Sequence, residues 1–182
     1  MASSSSKPTG GWTYDVFLSF RGEDTRYSFV DHLYAALVRY GLSVFKDDDI
    51  IRGGEKISPK LLGAIKGSRC AVVVLSKNYP NSSWCLIELA KIMDCHNQKG
   101  LLVIPVFYHV DPSDVRKQKR DFETAFWQHE KSSKEKDEVN EWRGALTAIG
   151  KLSGHHISET VKELVFLYIY VALITCTSHG RT

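Results

Sequence analysis

The chain has 182 residues, of which 43% are hydrophobic and 25% charged, with a net charge of +3. That length suits one domain with a substantial core, and the composition excludes a disordered or fibrous chain. So small a charge gives no ground for a nucleic-acid or anionic-membrane partner, and four scattered cysteines (Cys70, Cys85, Cys95, Cys176) without a CxxC pair read as reduced thiols rather than a disulfide framework or a zinc site.

Residues 1–11 are rich in Ser, Gly and Pro and are expected to form a disordered arm. They lack an apolar h-region and position 2 is Ala, so neither a secretory signal nor N-myristoylation is expected. The main body is then 12–158, followed by an apolar tail at 159–182.

Tyr14 to Phe20 reads as a buried first strand. Asp24-Thr25 can cap a helix with Phe29, Leu33, Ala36 and Leu37 on its apolar face, stopped by Gly41. Leu42 to Lys46 is a short second strand, and Asp47 to Lys56 a polar, Gly-rich loop. Ser58-Pro59 supplies an N-cap and a first-turn proline to a helix whose apolar face is Leu61, Leu62 and Ile65. Cys70 to Ser76 is apolar almost throughout, as a strand covered on both faces should be.

After a turn at Asn78 to Ser83, Trp84 to Gln98 reads as a helix ending at Lys99-Gly100. Leu101 to Tyr108 is a fourth strand in which Pro105, lacking a donor, predicts an edge or an irregularity. Asp111-Pro112-Ser113 turns the chain. Helices are expected over Phe122 to His129 and Val139 to Leu152, with the charged run Lys131 to Glu138 as a solvated loop between them. Gly154 to Ile157 suits a fifth strand.

Strand–helix alternation implies an α/β fold: a flavodoxin-like three-layer sandwich with a five-stranded parallel sheet, order 2-1-3-4-5, and helices on both faces. In such sheets ligands bind beyond the carboxyl ends of the strands. The segments there are Phe20 to Thr25, Asp47 to Ile57, Ser76 to Glu88 and His109 to Val115.

The residues at those places carry a resemblance. Tyr14-Asp-Val-Phe-Leu-Ser-Phe-Arg-Gly-Glu-Asp-Thr-Arg26, Phe45-Lys-Asp-Asp48, Gly54, Ile57-Ser-Pro59, Ser82-Ser-Trp-Cys-Leu-Ile-Glu-Leu89, Pro105-Val-Phe-Tyr-His-Val-Asp-Pro-Ser113, Val115-Arg116, Trp142-Arg143, Ala145-Leu146 and Leu152-Ser-Gly154 stand in the order seen in plant TIR domains. Over about Tyr14 to Ile157 the chain resembles the TIR domains of plant intracellular immune receptors. The resemblance implies a flavodoxin-like fold and an NAD⁺ glycohydrolase in innate immunity and cell death. It puts the catalytic carboxylate at Glu88 and substrate contacts at Phe20, Arg21, Gly22, Ile50, Ser83, Trp84 and Cys85. NAD⁺ or NADP⁺ is then a substrate, with no tightly bound cofactor.

The chemistry stands beside the family name. Breaking the nicotinamide–ribose bond releases a neutral leaving group from a cationic substrate, so no general acid is needed. One carboxylate near the ribose can stabilise the oxocarbenium-like transition state or hold the ribose hydroxyls. Glu88 is one turn beyond Trp84, and the pair shares a helix face. It is expected to be partly buried beside that ring at the rim cleft, with Leu86 and Leu89 turned to the core. The plainer reading is a first-turn Glu complementing the helix dipole at the surface.

Trp84 offers an aromatic surface or simply anchors the helix start. Gly22 permits close backbone approach and Arg21 can meet a phosphate, the alternative being an ordinary turn. Cys85 has no base beside it and reads as a small buried hydrophobe. Asp47-Asp-Asp49, Ile50-Ile51 and Arg52-Gly53-Gly54 make an acidic, apolar and then cationic loop. It is either a docking surface or a loop with its isoleucines folded inward.

In the family this loop inserts beneath a neighbouring TIR domain, so Arg52, Gly53 and Gly54 are self-association candidates. Gly53 stands where a basic residue is usual, with Arg52 beside it. Asp31-His32 occupies the place of a Ser-His pair that mediates one TIR–TIR contact, and Gly154 is a further self-association candidate. The remaining histidines show no metal-ligand spacing.

Leu164 to Ile174 is almost wholly apolar but short of the ~20 residues of a membrane span. A buried last helix, a membrane or partner contact, and a tail from a truncated transcript are all open. A cytoplasmic location, or a nuclear one, is the expectation. The expected partners are NAD⁺ and other TIR domains; the basic run Arg116 to Arg120 leaves nucleic acid open as the lesser alternative to a solvated helix start. The alternative function is a non-catalytic TIR–TIR scaffold. A phosphoacceptor receiver fails because Leu75-Ser76 lacks the required Asp at the end of the third strand.

Overall fold

A computed structural model of the chain describes residues 11–25, 29–46, 58–132, 135–157 and 162–178. The strands are β1 (Tyr14–Phe20), β2 (Val44–Lys46), β3 (Ser68–Leu75), β4 (Leu102–Tyr108) and β5 (His155–Ile157). The helices are α1 (Gly22–Thr25), α2 (Asp31–Arg39), α3 (Pro59–Lys66), α4 (Ser83–Lys99), α5 (Pro112–Lys117), α6 (Asp121–Lys131), α7 (Lys136–Ile149) and α8 (Lys162–Ser178), with a 3₁₀ turn at Tyr79–Asn81. The strands form one parallel sheet in the order β2-β1-β3-β4-β5, as the alternation implied. The proposed arm at 1–11 falls almost wholly outside the described residues.

Successive strand residues face opposite sides of a sheet, and both sides here are apolar. Val16, Leu18 and Phe20 on β1, Cys70, Val72 and Val74 on β3, and Ile104 and Val106 on β4 join one buried cluster with residues of α2 and α8. Phe17, Ala71, Val73, Leu75, Val103 and Phe107 join the other, with residues of α3, α4, α6 and α7. That period of two puts Ser19, fully buried, on the same side as Phe17 and therefore under α4.

Local chemistry sets several ends. Ser58 Oγ accepts from the Leu61 amide at 3.2 Å and Pro59 begins α3, so Ser58→Ala should cost about 1 kcal/mol, read from a denaturation midpoint. A midpoint equal to the parent's would mean that water caps the helix equally well. Gly100, at φ +68°, closes α4. Pro105 pairs with Val73 on β3, whereas β5 joins β4 only from Val106 onward. The proline thus lies where β4 has no strand on its second side, which fits its missing donor.

Three expectations are corrected. Asp24 and Thr25 do not cap the second helix: they lie in the separate short α1, and α2 starts at Asp31 behind the buried Phe29 and Val30. The charged run after α6 is helical at its two ends, because α6 continues to Lys131 and α7 begins at Lys136. The basic run at Arg116 to Arg120 is the end of α5 and a turn, with Gln118 and Arg120 at φ +43° and +56°. Gln118 Nε2 holds that turn by donating to the Val115 and Arg116 carbonyls and to Thr147 Oγ1.

The apolar tail forms α8, and one of its faces is buried. Val165, Ile169 and Leu173, four residues apart, are buried in the sheet cluster beside α2. Tyr170 stacks on Tyr40 at 4.6 Å, and Arg69 donates to the Leu173 carbonyl at 2.9 Å. The other side of α8 leaves Leu167, Tyr168, Val171 and Ile174 exposed. Among the described residues no helix is long and apolar enough to cross a membrane.

Candidate active site

The carboxyl ends of β1 and β3 and the start of α4 converge on one polar cluster. Ser82 caps α4, its Oγ accepting from the Cys85 amide at 3.2 Å. The first two turns then turn Cys85 and Glu88 inward, and Glu88 lies in the second turn rather than the first turn expected for a residue that complements the helix dipole. Glu88 is only 4% exposed, and Ser19 Oγ donates to its Oε2 at 2.8 Å. Ser19 Oγ also lies 2.9 Å from the Tyr79 hydroxyl, which donates to the Cys85 carbonyl at 3.0 Å.

Glu88 is thus buried more deeply than its pattern suggested, and the partner shown for its carboxylate is a strand serine. Trp84, half-buried, packs against the core cluster on the α4 side, which matches the anchoring reading of that ring. Sequence reasoning missed Ser19 and Tyr79. A signal existed for the first: a lone hydroxyl in the apolar run Val16 to Phe20, in phase with Phe17. Tyr79 carried none, since its position depends on how the turn before α4 folds back.

The other proposed contacts are distributed around this cluster. Phe20 is a core side chain on the opposite face of β1, and its carbonyl accepts from Cys85 Sγ at 3.7 Å. Gly22 opens α1 and Ser83 opens α4, both half-buried at the rim. Arg21 is paired with Glu23, lies 3.9 Å from Asp24 through Nε, and donates to the Asn78 carbonyl at 3.4 Å. Asp24 in turn accepts from Ser76 Oγ and Asn78 Nδ2. The guanidinium is therefore offset by two carboxylates, and a phosphate has to compete with them. Ile50, Arg52, Gly53 and Gly54 lie outside the described residues.

Burial first, and the Glu88 carboxylate second, push the Cys85 thiol up to about 12. At pH 8 about one molecule in ten thousand then carries a thiolate, too few for a nucleophile. Burial also raises the Tyr79 phenol well above its usual value, with Cys85 and Glu88 adding to it. These shifts fix a pH dependence. The unfolded Cys85 thiol titrates near 9.0, so above that pH the unfolded chain releases a proton the native chain still holds.

Its stabilising contribution is nearly complete below pH 9 and is lost as pH rises toward 12, by about 1 kcal/mol already between pH 9 and pH 10. Tyr79 adds to the loss above 10. Urea midpoints should hold from pH 7 to 8.5 and then fall, and Cys85→Ala should remove much of the fall between 9 and 10. An unchanged slope in that variant would assign the alkaline loss elsewhere.

Of the self-association candidates, Asp31 is bound within the chain: Lys46 Nζ reaches its Oδ1 at 2.9 Å, tying α2 to β2. His32, beside it, is exposed on α2. Gly154 is exposed, but a Cβ there would stand 2.5 Å from the Pro105 carbonyl and 2.8 Å from the Phe107 ring. His129 is structural, its Nε2 2.7 Å from the Pro80 carbonyl and its ring edge-on to Trp142. Among the described residues no group of three His, Cys, Asp or Glu side chains could hold a metal ion. A cavity of about 270 Å³ lined by Glu130, Lys136, Val139 and Asn140 is built by α6 and α7, and shares no residue with the β1–α4 cluster.

Residues 13–172 match the family model described as "TIR domain". The chain belongs to the TIR domain family. It is 53% identical to "Disease resistance protein RPV1" of Vitis rotundifolia over 90% of this chain. It is 50% identical to "TMV resistance protein N" of Nicotiana glutinosa over 85%. It spans only 12% and 13% of those two proteins. Among solved structures it is similar to the TIR domains of the activated Roq1 resistosome, which directly recognises the pathogen effector XopQ. That match has 46% identity and a TM-score of 0.78, and covers 88% of this chain and 99% of the other. This TIR domain is thus of the plant disease-resistance kind, with the sheet order its alternation implied.

Proposed function

We propose that this TIR domain hydrolyses the nicotinamide–ribose bond of NAD⁺ or NADP⁺, with Glu88 as the catalytic carboxylate, and that it does so when copies self-associate in plant immune and cell-death signalling in the cytoplasm or nucleus. The single observation that carries the reading is a carboxylate desolvated at the carboxyl rim of the sheet, held by a serine hydroxyl. A charge kept there costs free energy that folding does not recover unless it is well paired. Such carboxylates are over-represented at reactive centres.

The chemistry follows from the bond. The C1′–N bond breaks, its electron pair goes to the nicotinamide ring, and the neutral amine departs. Positive charge spreads over C1′ and the ring oxygen, where a nearby carboxylate is worth far more than in water. Water then adds to C1′ and releases a proton, giving ADP-ribose; capture of C1′ by an atom of the same molecule gives a cyclic isomer instead. Support for assembly comes from a relative: the 46%-identical TIR domains belong to an activated resistosome. Loop 47–57 and the α2 surface bearing His32 are the contact regions this reading uses.

One observation favours a second reading, a non-catalytic TIR–TIR scaffold: Glu88 is almost fully enclosed, as a structural carboxylate would be. Nicotinamide release measured against protein concentration decides between them. The enzyme reading expects turnover per molecule to rise steeply with concentration. Self-association without nicotinamide release at any concentration leaves the scaffold.

A further inference from the structure

The proposed catalytic carboxylate is the end of a chain. Glu88 Oε2 meets Ser19 Oγ at 2.8 Å, Ser19 Oγ meets the Tyr79 hydroxyl at 2.9 Å, and that hydroxyl meets the Cys85 carbonyl at 3.0 Å. All three side chains are buried and come from β1, the turn before α4, and α4 itself. Their neighbours on this face, Phe17, Ala71, Val73 and Leu75, are apolar. A polar chain among them is costly unless its protons are all used.

The hydroxyl protons can be ordered toward the carboxylate. Ser19 and Tyr79 each bring one hydroxyl proton to the chain. Ser19 then turns its proton to Oε2, and Tyr79 divides its own between Ser19 and the Cys85 carbonyl. When Tyr79 points to Ser19, both hydroxyls are polarised toward the carboxylate, and the carbonyl keeps the amide that α4 supplies. Tyr79 stays a neutral donor throughout, since burial, then Cys85 and Glu88, hold its phenol protonated well past the usual range.

We propose that Ser19 is a positioning residue for Glu88, backed by Tyr79, and that this hydroxyl chain holds the Oε2 edge of the carboxylate so that it meets the ribosyl cation in one orientation. The inference rests on Glu88 being the carboxylate that stabilises that cation. Among the groups that bear on Glu88 are Ser19 from β1, Tyr79 from the preceding turn and Cys85 from its own helix, with Arg21 and Asp24 acting on Cys85 from the rim.

The test compares parent, Ser19→Ala, Ser19→Thr, Tyr79→Phe and the Ser19→Ala/Tyr79→Phe double variant as full chains at a concentration where the parent turns over NAD⁺, with Glu88→Ala as the zero. A hydrogen bond to a charged group of this kind predicts a loss of roughly ten- to thirtyfold in kcat for Ser19→Ala with KM little changed. The acid limb of the kcat profile should move with it. Tyr79→Phe should lose less, the double variant no more than Ser19→Ala alone, and Ser19→Thr should recover most of the rate.

Ser19→Ala at the parent kcat overturns the positioning role while leaving Glu88 in place. So does a loss that tracks thermal stability with the pH profile unmoved. Should Ser19→Ala fail to fold, Tyr79→Phe, which keeps the ring, carries the same test: a parental rate and profile there overturns the role. A parent that releases no nicotinamide, or a Glu88→Ala variant as active as the parent, overturns this inference and the function together.

Discussion

Replacing Glu88 by Ala should cut nicotinamide release by at least ~100-fold, the scale expected when the group facing a developing charge is removed. Two features separate that loss from simple damage. Ser19 keeps a partner in Tyr79 when the carboxylate is gone, so the variant buries no isolated hydroxyl. Glu88→Gln goes further: it fills the same space and its amide oxygen can still accept from Ser19, but it carries no charge. Both variants should be inactive, and the Gln form should melt within a few degrees of the parent. Either one turning over NAD⁺ at the parental rate would remove the carboxylate from the reaction.

Gly154→Ala should destabilise the domain by about 2–3 kcal/mol, at the upper end of what forced overpacking costs, and lower Tm by roughly 5–10 °C for a chain of this size. The added methyl meets the Pro105 carbonyl at 2.5 Å and the Phe107 ring at 2.8 Å. Neither yields readily: Pro105 is held in register with Val73, and Phe107 is a core ring. The part free to move is β5, which among the described residues joins the sheet through three residue pairs, Val106–His155, Phe107–His156 and Tyr108–Ile157.

Gly154 is also a self-association candidate, and the two roles make different predictions. If its work is to let β5 close on β4, Gly154→Ala loses thermal stability, and association fails only as the fold does. If Tm holds and association alone is lost, the residue acts between molecules.

Much of the fold was legible because it rests on local rules. Ser58-Pro59 opens α3 and Gly100 closes α4 through groups within five residues of each other. The apolar run around Val72 to Val74 has to be a strand covered on both faces. The misreadings come where tertiary packing outweighs a local preference. Asp24 is a good cap by type, yet it bonds Ser76 and Asn78 instead, and burial of Phe29 and Val30 sets where α2 begins. The charges flanking 132–135 are as well solvated on a helix end as in a loop, so composition there did not distinguish the two.

The amino-acid sequence by itself determined the alternation of strands and helices, the helix ends set by Ser58, Pro59 and Gly100, and, through its motifs, the family and the position of Glu88. Only the tertiary structure decided how deep that carboxylate lies and what holds it. Ser19 is 69 residues from Glu88 and 60 from Tyr79, and contacts at such separation arise from strand order and helix packing, not from any local pattern. It also decided that Arg21 is shared between Glu23 and Asp24 and that Gly154 closes on Pro105. Charge pairing and steric closeness are properties of assembled surfaces, which a linear pattern does not contain.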